Sequence, residues 1–200
     1  MPKELFFKIC PEKQRRILDA SKKEFSEHIF EDASINHVIK NADISRGSFY
    51  QYFEDKKDLF FFLLKEILQE RLNIFLDGQT DCTDMFDLQE RLFIFNLNML
   101  SDYEYRPIFC NFFRCLTFEF SEELKTITSE LRDDVLEEVL STDCDVDQKT
   151  KKVIINIMQL ATRDLLAAKI LNDLSDEEVI AEYRDIERVL RAAAEKVSHS

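Results

Sequence analysis

The amino-acid sequence predicts an all-α protein, and two observations carry that reading. The 200 residues include only 2 Gly and 3 Pro, too few for the many tight turns a β-rich chain of this length needs. Apolar residues instead recur three and four positions apart over long stretches, with Ser or Asp standing where such stretches begin.

About nine helices are expected. The first runs from about Pro11 to Ser26: Pro suits a first turn, and Ile17, Leu18, Ser21 and Phe25 share one face. Ser34 is an N-cap residue for a short helix carrying Ile35, Val38 and Ile39 and ending near Asn41. Ala42-Asp43-Ile44 makes a turn, and Ser45 caps a third helix from Arg46 to Phe53. Asp55 caps a fourth that runs to Leu76 and stops at Gly78. Five more cover roughly 84–101, 107–119, 122–140, 147–172 and 176–197. Pro107 marks a start. Ser175 with Glu178 reads as a capping box, and Asp145 with Gln148 as a variant of it. Acidic connections are expected at Thr80–Asp84 and Ser141–Asp147.

The formal charge of -13 is unevenly placed. Residues 1–65 hold 12 Lys and Arg against 11 Asp and Glu, a net of +1, while residues 66–200 hold 15 against 29, a net of -14. Only the first third can approach a polyanion. Uncharged stretches reach ten residues, at Leu92–Ser101 and Val153–Thr162, about half of what a membrane helix needs. No apolar leader follows Met1. Cys10, Cys82, Cys110, Cys115 and Cys144 are odd in number and form no C-x-x-C pair. The expectation is a cytoplasmic protein with free thiols, no metal and no cofactor.

Ser34 to Phe53 is the informative segment. A short helix, a three-residue turn and a second short helix make a helix-turn-helix, whose second helix enters the DNA major groove. Ile35, Val38, Ile39, Ile44, Phe49 and Phe53 fall inward. Arg46, Gly47, Ser48, Tyr50, Gln51 and Tyr52 are left for the outer face. Arg46 suits bidentate reading of guanine, and Ser48 and Gln51 suit base edges. Gly47 costs a helix about 1 kcal/mol relative to Ala, so its presence points to close approach by DNA. Tyr50, Tyr52 and Lys56 are candidates for phosphate contact, the helix start from Ser45 to Ser48 favours a phosphate, and Ser34 and Asn36 complete the expected DNA-binding set.

Ala33-Ser34-Ile35, Ala42 through Phe53 and Asp55-Lys56-Lys57-Asp58-Leu59, with Arg16 to Ala20 and Phe25 to His28 upstream, resemble the DNA-binding domain of TetR-type transcriptional regulators. The resemblance covers about residues 11–65. It implies a three-helix DNA-binding domain over 1–54, then an effector-binding and dimerisation domain over 55–200. It also implies a homodimer on a near-palindromic operator, with the last two helices of each chain forming a four-helix bundle. Two positions depart from the family pattern. Asp43 stands where Gly is usual in the turn, and Asp tolerates the left-handed region. Ile29 follows His28 where Gly often ends the first helix, and a β-branched residue would be strained there.

The last helix carries Val179, Tyr183, Ile186, Leu190, Ala193 and Val197 at 4, 3, 4, 3, 4 spacing, a seam suited to pairing between chains. The preceding helix has a wide apolar stripe that includes Val153, Ile157 and Leu160. A small hydrophobic effector would meet Phe93, Phe109, Phe112, Phe113 and Met158, with Asn96, Arg114 and Arg163 as polar anchors. Catalysis is not expected: His28, His37 and His199 are the only histidines, and neither a nucleophile motif nor a phosphate-binding glycine loop is present. The reading is thus a ligand-released repressor on double-stranded DNA. The alternative is an acidic helical adaptor that binds proteins only.

Overall fold

The computed structural model describes residues 2–78, 84–115, 117–141 and 146–198. Among the described residues there are ten α-helices and no strand: α1 (Glu4–Lys8), α2 (Pro11–Glu27), α3 (Ile35–Asn41), α4 (Arg46–Tyr52), α5 (Lys56–Asp77), α6 (Met85–Met99), α7 (Arg106–Arg114), α8 (Phe118–Ser141), α9 (Gln148–Asn172) and α10 (Asp176–Ser198). None of them is long and apolar enough to cross a membrane.

Side-chain caps set many of the boundaries. Asp55 Oδ1 accepts from Asp58 N at 2.8 Å, and Asp58 Oδ2 accepts in return from Glu54 N at 3.0 Å, which opens α5. Ser175 and Glu178 form the expected reciprocal box: Ser175 N donates to Glu178 Oε2 at 2.8 Å and Glu178 N to Ser175 Oγ at 3.2 Å. The Ser175 N–H and hydroxyl, both donating to Glu178 Oε2, hold its carboxyl below the usual range. The expected cap Asp145 lies outside the described residues. Asp147 opens α9, its Oδ1 accepting from Lys149 N and Thr150 N. Asp173, in the left-handed region at φ 55°, closes α9.

The described chain falls into two compact units, Met1–Asn73 with Tyr103–Glu130, and Ile74–Asp102 with Leu131–Ser200. In the first unit α2 packs on α3 and α7, and α1 on α4. Asn111 Nδ2 of α7 donates to the carbonyls of Phe25 and Ser26 at 3.1 and 3.0 Å. It thus satisfies acceptors that the end of α2 leaves without helical partners. Rings fill this unit. Phe60 lies 4.7 Å from Phe25, 6.1 Å from Phe112 and 6.1 Å from Phe120, centroid to centroid. A second cluster places Phe6 of α1 at 5.0 Å from Phe53 and 5.4 Å from Phe62. Tilted and edge-on pairs of this kind add about 0.5–1.5 kcal/mol each beyond their buried area. α1 was not among the nine expected helices: five residues carry no readable period, and Phe6 is fixed by packing rather than propensity.

In the second unit α10 packs on α9 and α6, and α6 on α9. Phe93 and Tyr183 stack with centroids 4.0 Å apart and planes 5° from parallel. Burial pushes the Tyr183 phenol upward, and its hydroxyl has no hydrogen-bond partner among the described residues, as is also true of Gln89 Nε2. The expected seam of α10 is therefore divided. Val179 and Tyr183 are turned into the packing against α6 and α9 rather than outward. Ile186 and Leu190 are half-buried, Ala193 is exposed, and the side chain of Val197 lies outside the described residues. The open apolar face is on α9, where Val153, Ile157 and Leu160 are 51%, 40% and 47% exposed. Leu171 on α9 and Val189 on α10 are also exposed.

Candidate nucleic-acid interface

The geometry of α3, the turn and α4 follows from a few local choices. Asp43 sits at φ 53°, the left-handed conformation expected of it. Ile44 N donates to Ile39 O at 3.1 Å and so closes the turn. Ser45 Oγ accepts from Ser48 N at 3.0 Å and lies 2.8 Å from Ser48 Oγ, capping α4. Phe49 and Phe53 are fully buried, which fixes the rotation of α4 and leaves Arg46, Gly47, Tyr50 and Gln51 exposed. At the end of α2, His28 adopts extended backbone at φ -132°. Ile29 is not among the residues with positive φ, so the first helix ends without the glycine geometry.

Arg46 is held in place on the open face. Its Nη1 donates to Asn36 Oδ1 of α3 at 2.8 Å, and Nη2 lies 3.4 Å from the Tyr50 hydroxyl, with the guanidinium 5.6 Å from the Tyr50 ring centroid. A guanidinium has five N–H donors, so these contacts orient it while leaving donors for a base edge. A Cβ on Gly47 would meet nothing nearer than Ser45 Oγ at 3.8 Å. The head thus has room for alanine at Gly47.

Three expected contacts stand differently. Tyr52 is only 4% exposed: its ring lies 6.2 Å from Phe6, with the Lys13 ammonium 5.3 Å from its centroid. Lys56 is turned inward, its Nζ donating to the carbonyls of Glu31 and Ala33 at 3.0 and 2.9 Å and lying 4.7 Å from the Phe30 ring centroid. It fastens the α2–α3 connection instead of presenting an ammonium to phosphate. Ser34 precedes α3, but its hydroxyl makes no cap bond and its N–H donates to Glu24 Oε1 at 2.7 Å. A cation that sequence reasoning passed over is Lys3. Its Nζ donates to Tyr50 O at 2.9 Å and its backbone N–H to Tyr52 O at 2.8 Å, both at the end of α4.

The eight effector candidates divide between the two units. Phe109, Phe112 and Phe113 are buried in the first unit, with Arg114 exposed. Phe93 and Met158 are buried in the second, where Asn96 and Arg163 are half-buried and Arg163 pairs with Asp164 at 3.0 Å. A surface groove of about 510 Å³ on the second unit is lined by charged residues including Glu90, Arg184, Glu187 and Arg191, and by none of the eight. Of the cysteines, Cys10, Cys110 and Cys115 are free, while Cys82 and Cys144 lie outside the described residues. Cys115 Sγ donates to Glu31 Oε2 at 2.9 Å.

A short helix, a turn and a second helix with an oriented arginine on its open face define a helix-turn-helix DNA-binding head. Comparison with known proteins agrees: residues 17–62 match the bacterial regulatory proteins of the tetR family. The chain is 38% identical over 61 residues to the HTH-type transcriptional regulator HbdR of Aromatoleum sp. (strain CIB), covering 30% of this chain and 27% of that protein. It is 39% identical over 49 residues to the uncharacterized HTH-type transcriptional regulator YdgC of Bacillus subtilis (strain 168), covering 24% and 25%. The match thus spans about a quarter of the length of these relatives. The whole fold resembles a TetR transcriptional regulator from Rhodococcus sp. RHA1, with a TM-score of 0.66 at 14% identity over 90% of this chain and 95% of that one. It also resembles the transcriptional regulator FadR from Bacillus subtilis in complex with stearoyl-CoA, with a TM-score of 0.59 at 16% identity over 88% and 96%. The head, over residues 17–62, is thus similar in sequence to the DNA-binding part of tetR-family regulators, and the rest of the chain shares their fold.

Proposed function

We propose that the protein is a transcriptional repressor that binds a near-palindromic operator as a homodimer and lets go when a small hydrophobic effector binds. The observation that carries this reading is Arg46, exposed on α4 and aimed by Asn36 and Tyr50. An orienting network around a solvent-facing guanidinium serves base recognition; an adaptor binding only proteins would leave it and Gly47 without a role. α4 of each protomer enters one major groove, and the half-sites lie about 10 bp or a multiple apart. Functionally, residues 1–54 read DNA and residues 55–200 pair the chains and take the effector, in the cytoplasm and without catalysis.

The apolar stripe of Val153, Ile157 and Leu160 supports pairing through α9, with Ile186, Leu190 and Ala193 of α10 beside it in the bundle. For the effector, the unpartnered Tyr183 hydroxyl and Gln89 amide in the second unit are the polar groups an otherwise apolar ligand would satisfy. A neighbour of the same fold holds stearoyl-CoA, which makes long-chain acyl thioesters the first compounds to try. The test is selection of bound sequences from a random DNA pool by the full chain. An enriched inverted repeat is expected; no enrichment would overturn the proposal.

A further inference from the structure

Three side chains in the head form a constellation that DNA binding does not use. Glu24 and His28 are four apart at the end of α2 and share a face, and His37 comes from α3. Their ligating atoms all lie within 4.8 Å of one another. The Glu24 carboxylate is 3.3 Å from His37 Nδ1 and 4.0 Å from His28 Nε2. We propose that Glu24, His28 and His37 bind one divalent transition-metal ion, with Zn2+ the best match, and that the ion fastens α2 to α3.

The chemistry favours this class of ion. Two imidazoles and a carboxylate are the donor set of borderline divalent metals, whereas Mg2+ and Ca2+ call for oxygen ligands. The site carries one negative charge against two positive ones. Ligands about 2.0–2.2 Å from zinc in tetrahedral array stand about 3.3 Å apart. The carboxylate and His37 already have that separation, and His28, 4.0 Å from the carboxylate and within 4.8 Å of the other ligating atoms, has to close by about 1.5 Å or less. It has the freedom to do so, because it is the extended C-cap residue of α2 and its side chain is 42% exposed.

Burial and orientation point the same way. Glu24 is 3% exposed, and an ionised carboxylate out of water is costly unless matched. The Ser34 N–H holds Oε1 at 2.7 Å, an outer contact of the kind that orients a ligating carboxylate. The imidazole of His37 is 61% exposed, so an ion reaches the site from solvent and keeps a position open to water. This reading is independent of the proposed repression, since it concerns only the first unit and its metal.

The test uses the full-length chain stripped with a chelator. Titration with Co2+ should give visible ligand-field absorption that saturates at one ion per chain, without the near-ultraviolet bands of thiolate ligation. Zn2+ should displace the Co2+ and raise the thermal midpoint. His37→Ala and His28→Asn should each weaken binding more than about tenfold and abolish the thermal shift, while the metal-free variants keep the wild-type circular dichroism. Thiolate bands, or Co2+ binding unchanged in both variants, would overturn the assignment. Absence of any saturable absorption would do the same. Glu24→Gln serves as a third variant, judged only if its metal-free midpoint stays near wild type.

Discussion

Arg46 Nη1 donates to Asn36 Oδ1 at 2.8 Å, so the side chain best suited to read a base is held by the helix before its own. Arg46→Ala should cost the operator about 1–3 kcal/mol and leave random DNA little affected. Asn36→Ala should keep the arginine but release it, giving a smaller loss and blurred preference at the same base position. Binding titrations on the selected operator and on its single-base variants check both. Equal losses on operator and random DNA would remove arginine from base reading.

Gly47 offers a substitution with opposite effects on stability and function. The head has room for a methyl group there. Gly47→Ala should therefore raise stability by up to about 1 kcal/mol while weakening operator binding at least tenfold. Thermal melting and gel shift together decide; a variant that is both more stable and fully active would refute close approach at this residue.

Lys56 tests the head's construction. Its ammonium holds two carbonyls and a ring face, and hydrogen bonds to charged groups contribute about 1.5–3 kcal/mol. Lys56→Met should lower stability by an amount of that order and leave the salt dependence of DNA binding unchanged. A flattened salt slope in a protein of normal stability would restore the phosphate role.

The proposed interface and the core fall on different positions of α9 and α10. Ile157→Glu, on the exposed stripe, should give monomers of near-normal stability in sedimentation. Tyr183→Ala removes the ring stacked on Phe93 and should cost the fold about 3–5 kcal/mol, as large aromatic truncations in a core do. Leu190→Glu, at a half-buried position, should do some of each.

Acid should loosen the second unit through its caps. Hydrogen bonds hold Asp147 and Glu178 below the usual carboxylate range, from the Thr150 side chain first in one case and the Ser175 backbone first in the other. A lowered folded-state value means the stabilisation is complete above the unfolded values, about pH 4. It is lost as pH falls through the folded ones. Asp147→Asn with Glu178→Gln keeps capping geometry but cannot titrate. The midpoint of this double variant should fall less than that of the wild type between about pH 5 and 2.

Helix content, the turn at Asp43 and the short helix that follows it were all legible in the sequence, because each rests on local rules: period, caps and left-handed tolerance. What escaped depends on tertiary placement. α1 is too short to show a period, and its Phe6 acquires meaning only beside Phe53 and Phe62. The apolar seam of α10 was visible, but periodicity cannot say which partner covers it, and Val179 with Tyr183 proved to face their own chain. An ammonium at Lys56 suggested phosphate, yet two carbonyls from the α2–α3 connection lay within reach. The grouping of Glu24, His28 and His37 spans two helices and a turn, so its linear spacing matched no metal motif.

The ion pairs of the head also bear on how DNA binding should vary with salt. Lys57 and Lys65 are paired with Glu119 and Glu130 at 2.6 Å, and Lys22 with Glu104. With Lys56 they are occupied inside the first unit, which takes four of the twelve cations of residues 1–65 away from the DNA backbone. Each phosphate contact makes affinity steeper in salt by nearly one power of concentration. Cations tied up within the fold add nothing to that slope, so DNA binding by this head should be less steep in salt than the twelve lysines and arginines of residues 1–65 would suggest.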